Sequence, residues 1–300
     1  MVSTCCRYWR QEFNESITLG RRPQLSRELQ RSLQPLGTVV AFDYPKVNMA
    51  DAASIHKTVQ ECPPELIINA TAYTAVDKAE SEPELAEAIN GRAPGVLAEE
   101  ARKQQAVLIH YSTDYVFDGM KNKLYVESDS PNPLNVYGAT KLHGEQAVQQ
   151  VGGDYLILRT SCVYSLRQGG FVNKVLEWAR QQDTLRMATD QFGNPTWCRM
   201  LAEITAQLLT RGVAYIRDRT GLYHLAGDGF ASRYEWAKTI LEFDPKKNEQ
   251  IVTGVIPALT ADFPTPAHRP LFSALDCTHF FNTFGLQLPD WKVALQLALQ

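Results

Sequence analysis

The sequence is poor in the features that mark a membrane, secreted or nucleic-acid-binding protein. No apolar run reaches the roughly 18 residues that a membrane helix needs, so nothing in the 300-residue chain reads as a spanning segment. The opening MVSTCCRYWRQEF lacks the apolar centre of a signal peptide. The six cysteines (Cys5, Cys6, Cys62, Cys162, Cys198 and Cys277) show no paired CxxC spacing. Reduced thiols in a cytoplasmic protein are the simplest account of them. A formal net charge of −3 supplies no basic field for nucleic acid or an anionic membrane. No compact group of histidine, cysteine and carboxylate indicates a metal, and there is no internal repeat, low-complexity tract or long linker.

What is present is the material of an ordinary globule. Apolar residues make up 44% and charged residues 21%, and a chain of this length can bury a large core. Short apolar runs at 16–19, 38–43, 66–69, 106–113 and 154–160 read as strands. The stretch 16–19 is short and polar for the centre of a parallel sheet. Helical patterns fall at 51–61 and 83–104, the second broken near 91–95 by Gly91, Pro94 and Gly95. Further helices read at 170–182, 199–212 and 231–243, with strands at 184–189 and 221–226. This alternation predicts an α/β fold built on a doubly wound parallel sheet. Residues 17–165 would form that domain, and residues 166–300 mainly a smaller C-terminal α/β lobe, with some segments returning to the first. Ligands of such sheets lie outside the carboxyl ends of the strands, here at Asp43, Asn69 and Thr113.

The most informative stretch runs from Ala106 to Lys141. AVLIHYSTDYVFDG turns from apolar to polar at Ser112-Thr113-Asp114, and NVYGATKLHGE then sets Tyr137 and Lys141 four apart. Residues at that spacing share a helix face. A phenol, with an ordinary pKa of about 10, is a poor proton carrier until a nearby ammonium stabilises its phenolate. A threonine hydroxyl can hydrogen-bond a carbonyl oxygen as charge develops on it. Together these groups could reduce a ketone beside a nicotinamide hydride donor. A bare YxxxK is more often a surface pair; STD at the end of an apolar strand favours the catalytic reading.

HYSTDYVFDG and PNPLNVYGATKLHGE resemble the extended short-chain dehydrogenase/reductases. NATAYTAVDKAESEP, DQFGNPTW and TPAHRPLFSALD narrow the resemblance to the dTDP-4-dehydrorhamnose reductase branch of that family, over roughly residues 17–292. The resemblance implies a Rossmann-like domain, NADPH or NADH as cofactor, and a dTDP-4-keto-6-deoxy-L-hexose reduced at C4. It implies a nucleotide-sugar partner, no nucleic acid, no membrane, and allows a homodimer. By resemblance Thr113, Tyr137 and Lys141 are catalytic. Gly20, Gln24, Leu25, Asp43, Asn48, Met49, Ala70, Ala72 and Tyr73 join Tyr137 and Lys141 around the cofactor. Thr74, Val76, Asp114, Cys162, Gln191 and Asn194 fall to the substrate, Asp114 either bonding a sugar hydroxyl or orienting Tyr137. His268 and Arg269 stand near phosphate or in a salt bridge, and Asp43 meets the ribose or caps a surface turn.

The chain departs from the family pattern at two places. Only Gly20 fits the GxxGxxG turn; Pro23 and Ser26 stand where the second and third glycines would be, and Pro23 brings a ring and no N–H donor. Arg21 and Arg22 could supply compensating charge. Cys162 stands where the family usually has a tryptophan against the sugar. These losses leave two other readings open: a regulatory subunit similar to the methionine adenosyltransferase beta subunit, or a reductase of another nucleotide sugar. The intact Thr113, Tyr137 and Lys141 oppose the first.

Overall fold

The computed structural model describes residues 13–19, 24–167 and 169–300, the first of these by backbone alone. Gly20, Arg21, Arg22 and Pro23 lie outside the described residues, and with them the glycine turn. In chain order come β1 (Phe13–Leu19), α1 (Gln24–Leu33), β2 (Gly37–Phe42), α2 (Ala52–Glu61) and β3 (Leu66–Asn69). Then follow α3 (Val76–Ala79), α4 (Pro83–Ala86), α5 (Ala93–Gln104), β4 (Val107–Thr113), α6 (Val136–Val151) and β5 (Tyr155–Thr160). The second half holds β6 (Val163–Tyr164), α7 (Gly170–Trp178), β7 (Thr184–Ala188), β8 (Phe192–Gly193), β9 (Thr196–Trp197), α8 (Cys198–Leu209) and α9 (Val213–Arg217). It ends with β10 (Gly221–His224), β11 (Ala231–Ser232), α10 (Arg233–Phe243), β12 (Gly254–Ala258), α11 (Thr278–Phe284) and α12 (Trp291–Leu299).

Six strands form one parallel sheet in the order β10-β5-β4-β3-β1-β2. The winding reverses between β1 and β3, which opens a crevice at their carboxyl ends. Alternate residues point to opposite faces. Leu66, Ile68, Val107, Ile109, Leu156 and Leu158 pack on one side with Leu25, Leu29 and Leu33 of α1 and Leu201 and Leu208 of α8. Ile67, Leu108 and Ile157 pack on the other with Val59, Leu97 and Val148. Burying each such aliphatic side chain stabilises by about 1.5–3 kcal/mol. Both faces are thus covered, as a doubly wound sheet requires. A third core joins α7, β7, α10 and α12 through Val172, Val175, Leu185, Trp236, Ile240 and Leu295.

Several expected boundaries move. The stretch expected at 16–19 runs back to Phe13 and lies between β2 and β3, in the interior of the sheet. The break in the long helix is a π-helical segment, Glu87–Arg92, ahead of α5. The helix expected from residue 231 starts at Arg233, because Ser232 caps it. Its hydroxyl accepts the Glu235 N–H while the Glu235 carboxylate accepts the Ser232 N–H. Residues 231–232 are drawn instead into an antiparallel pair with Phe192–Gly193. The helix expected at 170–182 ends at Trp178, and the strand expected at 221–226 ends at His224.

Candidate active site

β4 delivers Thr113 to the carboxyl edge of the sheet, and a 3₁₀ turn, Asp114–Val116, carries the chain away. α6 comes in beside it. Its N-cap is Asn135, whose Oδ1 accepts the Gly138 N–H at 2.8 Å and whose Nδ2 donates to the His268 carbonyl at 2.7 Å. Tyr137, Lys141 and Glu145 then form one row along the inner face of α6. The Thr113 hydroxyl lies close enough to the Tyr137 phenol to act on its proton, and the Tyr115 ring meets the Tyr137 ring edge-on at 5.8 Å.

Lys141 is buried, with 1% of its surface exposed. Its Nζ donates to the Tyr111 carbonyl at 2.7 Å and lies 3.3 Å from His110 Nε2. Burial pulls its pKa down to about 8, with Glu145 acting in the opposite sense. The expected lowering of the tyrosine pKa by lysine is not the balance found here. Burial raises the Tyr137 phenol above its ordinary value, Asp114 and Tyr115 add to the rise, and only the Thr113 hydroxyl opposes it. The Lys141 nitrogen turns back into the sheet, toward the Tyr111 carbonyl and His110, and burial keeps the proton on the phenol. Beneath them Glu145 accepts two bonds from Arg159, at 2.9 and 2.6 Å, and one from Ser112.

Asp114 is buried and accepts from Ser161, Ser273 and Thr113. Burial raises its pKa against those three bonds. Asn194 is also committed to the protein: its Nδ2 faces the Gly227, Gly229 and Leu275 carbonyls, and its Oδ1 accepts the Leu275 N–H. It clasps three loops together, which accounts for its burial at 2% exposure. Gln191 is half-buried and accepts from Arg233 Nε at 3.1 Å. Cys162 adopts a φ of 44° and borders a small pocket with Asp114, Tyr115, Gln191 and Arg233.

The residues assigned to the cofactor spread along the sheet edge. Asp43 follows β2, and its carboxylate accepts the Tyr44 N–H at 2.9 Å. Together with Arg27, Gln30, Tyr44, Pro45 and Lys46 it lines a cavity of about 660 Å³. Asn48 Oδ1 accepts the Ala50 N–H, while Met49 and Leu25 pack into the two faces of the core. Gln24 opens α1, and Ser26, fully buried, is accommodated in its first turn. Ala70, Ala72 and Tyr73 leave β3 half-buried, with Thr74 exposed and Val76 starting α3. Asn90 holds the Tyr73 backbone at both N–H and carbonyl, and the Tyr73 phenol donates to Glu82. Asp77 pairs with Arg269 at 2.8 Å, the salt-bridge reading of that arginine.

A second cavity, of about 420 Å³, opens in the C-terminal half. Phe171, Trp178 and Phe263 supply aromatic walls, and Lys174, Arg186 and Arg233 supply positive charge. Sequence reasoning singled out none of these six. Arg233, the first residue after a capping serine, had a local signal; the others are gathered only by the fold.

A doubly wound parallel sheet with threonine, tyrosine and lysine at its carboxyl edge is the arrangement of a short-chain dehydrogenase/reductase of the extended type. Residues 15–300 match the model of the RmlD substrate binding domain family. The chain is 40% identical to the dTDP-4-dehydrorhamnose reductase of Escherichia coli K12 over 94% of its own length and 96% of the relative's. It is 37% identical to that of Burkholderia thailandensis, over 95% and 97%. Among solved structures, a dTDP-4-dehydrorhamnose reductase from Clostridium acetobutylicum superposes with a TM-score of 0.88 at 31% identity, covering 95% of this chain and 98% of the other. The Bacillus anthracis enzyme in complex with NADP gives 0.85 at 32% identity, over 95% and 98%. The chain belongs to the dTDP-4-dehydrorhamnose reductase family.

Proposed function

We propose that this chain reduces the 4-keto group of dTDP-4-dehydrorhamnose to give dTDP-L-rhamnose, with NADPH or NADH as cofactor. The neighbouring hydroxyls of Thr113 and Tyr137, placed where the parallel sheet binds ligands, carry the reading. The cavity at the end of β2 and the crevice between β1 and β3 suit a dinucleotide, with Asp43, Arg27 and Lys46 at the adenosine end and Tyr73, Tyr137 and Lys141 at the other. When bound, the cofactor supplies hydride. Tyr137, kept protonated by burial, holds the proton that the forming C4 alkoxide takes up. Thr113, beside the phenol, positions that oxygen. Lys141 stands behind the pair, anchored on the Tyr111 carbonyl.

The cavity between α7 and α10 suits a nucleoside diphosphate: aromatic walls for a base, and Lys174 and Arg233 for the phosphates. Arg233 lines both that cavity and the small pocket at Cys162, so it stands where sugar and diphosphate would join. On this reading residues 17–165 serve the cofactor and residues 166–300 mainly the nucleotide sugar, with α8 and β10 packed into the first part. No helix of the described residues is long and apolar enough to cross a membrane. The reading also holds a cytoplasmic homodimer without nucleic acid; light scattering decides the oligomer. The direct test is Tyr137→Phe. Turnover of dTDP-4-dehydrorhamnose should fall by about 10²–10⁴-fold while NADPH binding by nicotinamide fluorescence persists. Unchanged turnover would refute the assignment. Turnover of a UDP- or GDP-4-ketosugar in preference to the dTDP compound would move the substrate.

A further inference from the structure

Behind Lys141 lies a short polar chain that the steps above do not use. Asn69 and His110 are register partners on β3 and β4, and both are fully buried. The backbone N–H of Thr71 donates to Asn69 Oδ1 at 3.1 Å. That contact fixes which end of the amide is oxygen, since an NH₂ group there would face another donor. Asn69 Nδ2 therefore turns to His110 Nδ1, 3.1 Å away. An amide nitrogen only donates, so Nδ1 must offer its lone pair and the ring proton must sit on Nε2. Nε2 in turn faces Lys141 Nζ at 3.3 Å. An ammonium has donors only. Set against Nε2–H, it would oppose two donors in a buried place, where such a conflict is costly. A free amine resolves it, accepting from Nε2–H while donating to the Tyr111 carbonyl.

We infer that Asn69 and His110 are positioning residues that act through Lys141: held as the Nε2–H tautomer, His110 favours the uncharged lysine, so that Lys141 can exchange its proton near neutral pH. The groups that face Lys141 come from α6, β3, β4 and β5. On α6, Glu145 favours the ammonium, but its carboxylate is shared with Arg159 of β5 and Ser112 of β4. Tyr137, one turn earlier on α6, is a neutral phenol. β3 contributes only the uncharged Asn69. Burial holds His110 well below the ordinary histidine range, and an ammonium on Lys141 would lower it further, so its ring stays neutral. A lysine poised in this way passes between ammonium and amine near neutral pH, and only the ammonium form can give up a proton. No bond other than those to the transferred proton is made or broken.

The tautomer can be read without any assumption about activity. In protein labelled with ¹⁵N-histidine, long-range correlations across each ring separate the two tautomers and the imidazolium, and the His110 signal is the one lost in His110→Leu. A neutral Nε2–H ring between about pH 6 and 9 is expected. An Nδ1–H ring, or an imidazolium, would overturn the inference. The consequence for Lys141 rests on the reductase reading and has its own readout. Asn69→Asp presents an acceptor to Nδ1, favours the Nδ1–H tautomer and frees Nε2 to accept from an ammonium. The limb of the kcat–pH profile that belongs to Lys141 should then move to higher pH by about one unit, a tenfold change in proton affinity. A uniform loss of kcat with the limb in place would mean that the pair is merely structural. If the unaltered protein shows no turnover, the reductase reading fails while the tautomer result still stands.

Discussion

Gly138 follows the proposed proton donor directly, and it is where α6 touches the turn that leaves β4. A Cβ placed there would lie 2.2 Å from the Tyr115 carbonyl oxygen and 3.1 Å from Pro133 Cβ. Carbon–oxygen contacts of this kind settle at roughly 3.3–3.6 Å, so in Gly138→Ala the helix must retreat from the turn by about 1 Å. The obstructing atom is backbone, one residue beyond Asp114, and it cannot rotate aside. Two terms then act on stability in opposite directions. Overpacking costs about 1–3 kcal/mol, and replacing glycine by alanine inside a helix returns about 1 kcal/mol. The net loss is about 0–2 kcal/mol, small enough for the protein to stay folded. The effect on chemistry is larger. A retreat of that size draws the Tyr137 hydroxyl from Thr113, and a misplacement of about 1 Å costs on the order of 10²-fold in rate. Following NADPH oxidation with dTDP-4-dehydrorhamnose, alongside a urea titration, separates the two effects. A shifted urea midpoint with kcat unchanged would refute the claim that this contact sets the catalytic geometry. Gly254→Ala is the control, because nothing lies within 4 Å of a Cβ there, and it should leave both quantities alone.

Glu145→Gln leaves the Arg159 guanidinium buried without its counter-charge and should cost about 3–5 kcal/mol in urea unfolding; a loss below about 1 kcal/mol would show that the pair is not what holds α6 on β5. His224, buried on β10, has a pKa drawn down to about 3 by burial and by the charge of Arg159. The unfolded chain therefore takes up this proton first as the pH falls. Stability carried by the neutral ring is complete above about pH 6.5 and lost toward pH 3, about 5 kcal/mol in all. His224→Gln should be less sensitive to acid over that window, and parallel stability–pH curves for the two proteins would contradict the assignment.

The parts legible in the sequence were those that one segment encodes by itself. The spacing of Tyr137 and Lys141 put them on one helix face, and the change from apolar to polar at Ser112-Thr113 marked a strand end. The alternation of strands and helices gave the doubly wound sheet. What stayed hidden depends on register between distant strands. Asn69 faces His110, and Ser112 lies beside Arg159, only because β3, β4 and β5 pair as they do. Asp114 looked like a ligand group, yet Ser161 and Ser273 come to it from remote loops. Asn194 is similar: its motif was conspicuous, but a sequence cannot tell an amide offered to a ligand from one that clasps three loops. The direction in which Lys141 turns and the burial that raises the Tyr137 phenol both follow from how α6 lies over the sheet, which no spacing rule contains.

The sheet is completed at one edge by β10, which pairs with β5 although roughly sixty residues of chain lie between them. During synthesis β5 therefore emerges long before its neighbour, and until residues 221–224 follow it presents an unpaired row of backbone donors and acceptors. α8, which covers one face of the same sheet beside α1, is also made late. The first 165 residues cannot complete this sheet and its covering helices before most of the later residues have left the ribosome. Fragments ending near residue 165 should accordingly be prone to aggregate.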